Sequence, residues 1–309
     1  MFNDFHEIVC ENPYIMKSCS LQHLYPFDSH WCDLDDIKYH YLDEGLADAP
    51  ALVMVHGNPT WSFYYRTLIP ELSKAYRVIV PDHVGCGLSD KPQPYAYTLE
   101  QHIENLERLL LSLNLQQKIT LVVHDWGGAI GMGYATRHPE TIRNFVVFNS
   151  AAFFVPRLPL RIRMCRIPWL GEFLVRGLNG FVRAAFLFAT SQPQRLSPEV
   201  KTGYLAPYNS WRNRIAIHRF VRDIPMEPAH PTRATLHQID TDLSLFRNHS
   251  MLILWGAKDF CFTVKHFLPE WHKRFPDAQI HVLEQAGHYV VEDAHERILP
   301  LMTEFLKKY

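Results

Sequence analysis

Six short runs of aliphatic and β-branched residues recur along this chain with helical patterns between them, and that alternation leaves few folds open. The runs are Ala51–His56, Arg77–Pro81, Ile119–His124, Asn144–Asn149, Met251–Trp255 and Gln279–Leu283. Away from their edges they are apolar throughout rather than alternating, which predicts strands buried on both faces of a parallel sheet. Helical patterns fill the gaps at Trp61–Lys74, Leu99–Leu113, Gly127–Arg137 and Val264–Phe275. Thr98 is a plausible N-cap, and Ile103, Leu106, Leu110 and Leu113 share one face of the second helix. Strand–helix alternation requires right-handed crossovers and gives a doubly wound α/β sheet. Ahead of it, His30–Cys32 and Ile37–Leu42 read as an antiparallel hairpin leading into the sheet.

The alternation stops after Asn149 and resumes at Met251. The intervening stretch reads as helices and loops. The expected organisation is therefore a mostly parallel central sheet flanked by helices, residues 1–153 and 239–309, with a helical cap, residues 154–238, inserted after the sixth strand. A cap there would cover the carboxyl ends of the strands, where open α/β sheets bind ligands.

Composition narrows the class of function. With 309 residues, 47% hydrophobic residues and a formal net charge of -1, the chain can build a sizeable core. That balance argues against nucleic acid or bulk anionic membrane as the main partner. No apolar run is long enough to span a bilayer. The start, M-F-N-D-F-H-E, is acidic where a signal peptide would be basic and then apolar. The expected location is thus the cytoplasm. The six cysteines, Cys10, Cys19, Cys32, Cys86, Cys165 and Cys261, form no C-x-x-C pair and read as free thiols. There are 18 histidines but no H-E-x-x-H, so neither metal nor cofactor is expected.

The chemistry is concentrated in V-V-H-D-W-G-G. Asp125 sits where the strand Ile119–His124 meets a helix, with Gly127 and Gly128 just beyond. This is the strand–turn–helix of a nucleophile elbow, with Val123 in place of the usual first glycine and Asp125 in place of serine. A carboxylate nucleophile attacks an electrophilic carbon and forms an ester. Cleaving that ester with water needs a base, and His288 in Q-A-G-H-Y follows the last parallel strand. Asp259 in W-G-A-K-D follows Met251–Trp255 and is placed to orient the imidazole. Asp240 and Asp242 compete for that role but sit at the exit of the cap. The order Asp125, Asp259, His288 is the nucleophile–acid–base order of the α/β-hydrolase fold. The H-G-N-P turn brings Asn58, which with Trp126 supplies backbone and side-chain N–H donors for an oxyanion or a departing halide.

Together H-G-N-P-T-W, V-V-H-D-W-G-G, P-D-H-V-G-C-G-L-S-D-K-P, W-G-A-K-D and A-G-H-Y resemble the haloalkane dehalogenase family over nearly the whole chain. The resemblance implies displacement of halide by the Asp, hydrolysis of the ester by a His-activated water, and Asn58 with Trp126 as the halide-stabilising pair. Some members carry the acid after the strand that follows the elbow. The matching residue here is Asn149, which leaves Asp259. The cap stretches R-I-R-M-C-R-I-P, V-R-G-L-N-G-F-V-R-A-A and L-A-P-Y-N-S-W-R-N-R-I-A-I-H-R-F-V-R-D-I-P look like the third dehalogenase subfamily, similar to β-lactone decarboxylases of bacterial olefin biosynthesis. That implies an apolar substrate with long alkyl chains, a cis-3-alkyl-4-alkyl-oxetan-2-one, released as cis-alkene and carbon dioxide. By resemblance alone it also implies association with other olefin-pathway enzymes. Arg212, Arg214 and Arg219 could then hold a carboxylate, or simply lie on a solvated helix face. The stretch Leu158–Phe188, with Arg157, Arg161, Arg163, Arg166, Arg176 and Arg183 in or beside it, could line a channel for alkyl tails, touch a partner or membrane surface, or merely pack over the core.

Two rival readings remain at this stage. An epoxide hydrolase needs two cap tyrosines as donors, and Tyr204 and Tyr208 are candidates by type, although Pro207 disturbs a helix between them. A hydrolase-fold receptor would be expected to lack part of the triad or its donors, and here all are present.

Overall fold

The computed structural model describes residues 21–115 and 118–309. Cys10, Cys19 and the acidic N-terminal stretch lie outside the described residues. Strands β1 (His30–Asp33), β2 (Lys38–Glu44), β3 (Ala51–Val55), β4 (Arg77–Pro81), β5 (Ile119–Asp125), β6 (Ile142–Ser150), β7 (Ser250–Gly256) and β8 (Gln279–Leu283) form one sheet in the order β1-β2-β4-β3-β5-β6-β7-β8. The hairpin β1–β2 joins β4 antiparallel, and every other pair is parallel. This is the α/β-hydrolase fold. β3 and β5 are buried at every position, as a strand covered by helices on both faces must be.

Helices α1 (Ile69–Leu72), α2 (Leu99–Ser112) and α3 (Trp126–Arg137) follow the first strands. Between β6 and β7 the chain forms only helices and turns: α4 (Leu160–Met164), α5 (Leu170–Glu172), α6 (Gly180–Phe188), α7 (Pro198–Leu205), α8 (Ile215–Asp223) and α9 (Pro231–Asp242). After β7 come α10 (Val264–Arg274) and α11 (Val290–Lys308). Thr98 caps α2 by accepting from the Gln101 N–H at 3.3 Å.

The expected helix Trp61–Lys74 is instead a 3-10 turn, Ser62–Tyr65, followed by the short α1. Pro70 has no N–H to continue a helix from the preceding turn and is accommodated only near the start of a new one. The helix α11 was not anticipated. Its first turn carries Glu292, paired with Arg66, and Asp293, which accepts from the Gly287 N–H (2.7 Å) and the Ser191 N–H (2.8 Å). The loop before α11 is thereby pinned to both the core and the helical insertion.

Candidate active site

The elbow forms where the sequence places it. Asp125 ends β5 with φ 51° and ψ -125°, a conformation that side-chain-bearing residues rarely adopt and that costs about 1–3 kcal/mol. Gly127 starts the helix so close to β3 that a Cβ there would lie 2.0 Å from the Val55 carbonyl oxygen. Gly57 is fixed by Asp125 itself, since a Cβ would meet its Oδ1 at 2.2 Å. The Ser150 hydroxyl donates to the Asp125 carbonyl at 2.5 Å and locks the turn to β6.

The three residues expected to act together lie side by side. His288 Nδ1 donates to Asp259 Oδ2 at 2.8 Å, and His288 Nε2 lies 3.7 Å from Asp125 Oδ2. Asp259 Oδ1 accepts the Cys261 N–H (2.6 Å) and the Phe262 N–H (3.0 Å), so its second oxygen is the one left for the imidazole. The Phe262 ring stacks on His288 with an interplanar angle of 11°. The competing acids are engaged elsewhere. Asp240 takes a two-point contact from Arg274 at 2.6 and 2.9 Å, and Asp242 accepts from Gln238. Asn149 clamps β6 to β7, accepting from the Gly256 N–H (2.7 Å) and donating to the Gly256 carbonyl (3.1 Å).

Burial pushes the Asp125 carboxyl above the ordinary carboxylate range, against His288 and the Trp126 and Asn58 N–H groups, which favour the anion. Burial also disfavours the His288 imidazolium, but Asp259 and Asp125 outweigh it and hold the ring above the ordinary imidazole range. The site thus favours a neighbouring carboxylate and imidazolium.

The backbone donors serve a different anion from the one expected. The Asn58 N–H donates to Asp125 Oδ1 at 2.6 Å, and the Trp126 N–H also bonds this carboxylate. The Asn58 N–H thus occupies Oδ1, while Oδ2 is the oxygen that lies toward His288 Nε2. The side chains of Asn58 and Trp126 line the cavity above. One Asn58 amide N–H reaches the Ile217 carbonyl of α8 at 3.2 Å, which leaves the second for a ligand. The Trp126 ring is held against Phe220 of α8 at 5.3 Å between centroids.

The cavity over Asp125 measures about 140 Å³ and is walled by apolar side chains from the strand ends and the insertion, among them Phe153, Ile162, Phe181, Val221 and Leu236. Arg212, Arg214 and Arg219 are not among its walls. Arg214 instead donates to the Tyr208 carbonyl at 2.7 Å and to the Arg176 carbonyl, bracing turns of the insertion, while Arg212 and Arg219 are exposed. The cation that does line the cavity is Arg157, on the loop after β6, steadied by the Cys261 carbonyl at 2.9 Å. The two tyrosines are also placed elsewhere. Tyr204 donates to Glu292 at 2.5 Å and Tyr208 to the Thr60 carbonyl at 3.3 Å, which removes the donors an epoxide reading requires.

His124 is a supporting residue that motif reading passed over. Its ring lies between Tyr64 and His288, and its Nε2 donates to the His288 carbonyl at 2.9 Å, so burial holds it neutral while it fixes His288 in place. Its position directly before Asp125 was the available signal. Among the described residues no group of three or more His, Cys, Asp or Glu side chains could hold a metal ion.

Known proteins resemble this chain over most of its length. The model of the α/β hydrolase fold family matches residues 50–294. A cis-3-alkyl-4-alkyloxetan-2-one decarboxylase of Shewanella oneidensis is 46% identical over 93% of this chain and 90% of its own length. Its namesake from Xanthomonas campestris is 42% identical over 88% of this chain and 93% of its own. Among solved structures, a haloalkane dehalogenase of Agrobacterium tumefaciens superposes with a TM-score of 0.82 at 27% identity, covering 91% of this chain and 96% of that one.

Proposed function

This chain belongs to the α/β hydrolase fold family, among relatives of the haloalkane dehalogenases and oxetanone decarboxylases, and we propose that it is a β-lactone decarboxylase converting a cis-3-alkyl-4-alkyl-oxetan-2-one to a cis-alkene and carbon dioxide. The observation that carries the choice is the 46% identity to a decarboxylase of that name over nearly the full length. In this reading Asp125, His288 and Asp259 form the triad, Asn58 and Trp126 are charge-stabilising donors, and residues 154–238 form a cap over a core of residues 1–153 and 239–309.

The parts suit the chemistry. Asp125 Oδ2 attacks C4 of the lactone in line with the ring oxygen. The C4–O bond breaks, an ester to Asp125 forms with inversion, and the ring oxygen leaves as part of a carboxylate on C3. The C3–C2 bond then breaks, its electron pair forms the C3–C4 double bond, carbon dioxide departs, and Asp125 leaves C4 with the ester electrons. Inversion at C4 sets the two leaving bonds antiperiplanar with both alkyl groups on one side, so a cis-lactone gives a cis-alkene. No water is consumed, which fits the apolar walls. The His288 imidazolium stabilises Asp125 as it leaves, and Arg157 faces the carboxylate released in the first step.

The assay is gas chromatography of products from a synthetic cis-3,4-dialkyl-oxetan-2-one. Alkene with equimolar carbon dioxide is expected. Halide release from bromoalkanes with no alkene from the lactone overturns the choice and favours the dehalogenase. Replacing Arg157 with Gln is expected to slow lactone consumption by about 10²-fold, the cost of removing one donor from developing negative charge. Unchanged lactone turnover by a folded variant would remove Arg157 from the reaction.

The pH profile separates the two chemistries. Alkene formation needs ionised Asp125, so it rises as pH passes that group's titration, above the ordinary carboxylate range. It needs protonated His288, so it falls as pH passes the ring's titration, above the ordinary imidazole range. Hydrolysis through a neutral imidazole base instead grows across that upper limb. Measuring kcat/KM for alkene against pH tests this, and a rate that climbs through the upper limb would contradict the non-hydrolytic step.

A further inference from the structure

Nine of the fifteen large apolar side chains exposed among the described residues fall between Leu160 and Phe188. They include Leu160 (71% exposed), Trp169 (87%) and Leu187 (73%), and it is their concentration in one segment, not exposure alone, that sets them apart from scattered surface hydrophobes. The segment is joined into one surface by Arg161, whose guanidinium lies 3.7 Å above the Phe188 ring, bringing α4 against the end of α6. The opposite sides of the same two helices face the catalytic cavity through Ile162 and Phe181. A cleft of about 620 Å³, lined in part by Arg163 and Ile167, lies beside that cavity and shares Leu158 and Met226 with it.

The charge of the segment is equally one-sided. Residues 154–188 hold six arginines and one acid in a chain of net charge -1. That acid, Glu172, is paired with Arg176 at 2.5 Å. Exposed Arg161, Arg163 and Arg183 form no ion pair among the described residues. The near-neutral total therefore conceals a local basic, apolar face. No described helix is long and apolar enough to cross a membrane.

We propose that this face of the insertion docks on an anionic lipid bilayer, with Trp169, Leu160 and Leu187 entering the headgroup–acyl boundary and Arg161, Arg163 and Arg183 meeting lipid phosphates. Projecting aromatic and aliphatic side chains beside arginines suit a fluid lipid surface, which needs no matching contour. The cleft lined by Arg163 and Ile167, which adjoins the cavity over Asp125, then lies at the membrane, where a long-chain apolar molecule partitions; only this last consequence rests on the proposed substrate.

The test is co-sedimentation of the full chain with vesicles of phosphatidylglycerol and phosphatidylcholine, compared with phosphatidylcholine alone. It reads no turnover, so it stands or falls apart from the assigned reaction. Binding to the anionic vesicles, weakened by salt, is expected. The Arg161→Gln, Arg163→Gln double variant should lower partitioning about 30-fold. The Trp169→Ala, Leu187→Ser variant should lower it about tenfold or more, and its exposed sites leave the fold intact. Absence of binding to either vesicle, or binding indifferent to lipid charge and to both variants, overturns the proposal. So does a dimer seen by light scattering that Trp169→Ala, Leu187→Ser dissolves while vesicle binding is absent, which would assign the face to a second copy of the chain.

Discussion

Replacing Asp125 with Asn removes turnover, by about 10⁴-fold or more, and leaves a folded protein that is slightly more stable than the parent. The amide matches the carboxylate in size, so its oxygen still accepts the Asn58 N–H that Oδ1 takes at 2.6 Å. The atom facing His288 becomes a nitrogen whose lone pair is delocalised into the carbonyl, and it cannot displace a ring oxygen or a halide. Stability moves the other way because the folded protein no longer buries an anion whose carboxyl is already pushed up by desolvation. Relief of about 1 kcal/mol raises Tm by roughly 2 °C in a chain of this size. The positive φ of 51° is also no obstacle, since Asn is among the residues that tolerate it. Steady-state rates and thermal melts measured on one preparation check both halves. Turnover within tenfold of the parent would mean that Asp125 is not the nucleophile. Mass spectrometry of a slow substrate on the parent enzyme should also find the ester on the peptide containing Asp125, and none on the variant.

Much of this architecture was legible in the residues because parallel strands buried on both faces leave an unbroken apolar run. The six runs became β3 to β8 with shifts of only a few residues at their ends. Asp125, Asp259 and His288 could be singled out because each sits at or just after the carboxyl end of a strand, where chain order constrains them. What escaped was set by tertiary contact. Pro70 broke a pattern that side-chain periodicity alone joined. Pro300 and the non-helical Ala294 obscured α11, a helix that packing against the sheet sustains despite them. Arg157 lies on a loop without periodicity, so nothing in the sequence separated it from the other arginines of the insertion, whereas Arg212, Arg214 and Arg219 drew notice through motif likeness and proved to be braces or exposed. The grip of the Asn58 N–H on Asp125 is a backbone contact and leaves no trace in residue identity beyond the glycine beside it, whose Cβ would strike the carboxylate.

Asp259→Asn is expected to cost about 10⁴-fold in turnover with the fold retained, the loss seen when the orienting acid of a triad is made an amide. Asp259 Oδ1 is committed to the Cys261 and Phe262 N–H groups, so the amide oxygen of Asn takes that place and the NH₂ turns toward His288 Nδ1. Two donors cannot share that 2.8 Å contact, and the ring responds by moving its proton to Nε2. The imidazole then points an N–H at Asp125 while losing the anion that raised its pKa, so neither the imidazolium needed for fragmentation nor the basic lone pair needed for hydrolysis is available. The upper limb of the pH profile should shift to lower pH in whatever activity remains, a change that a merely loosened fold would not produce. Moving the acid to the end of β6 should not repair the defect. In an Asp259→Asn, Asn149→Asp double variant the new carboxylate would still accept the Gly256 N–H, but its second oxygen would face the Gly256 carbonyl that Asn149 now satisfies at 3.1 Å. That buried repulsion costs about 1–3 kcal/mol, while the Gly256 N–H keeps the carboxylate on β7 instead of His288. Recovery of activity in the double variant would show that β6 can still supply the acid, and that Asp259 serves the loop more than the ring.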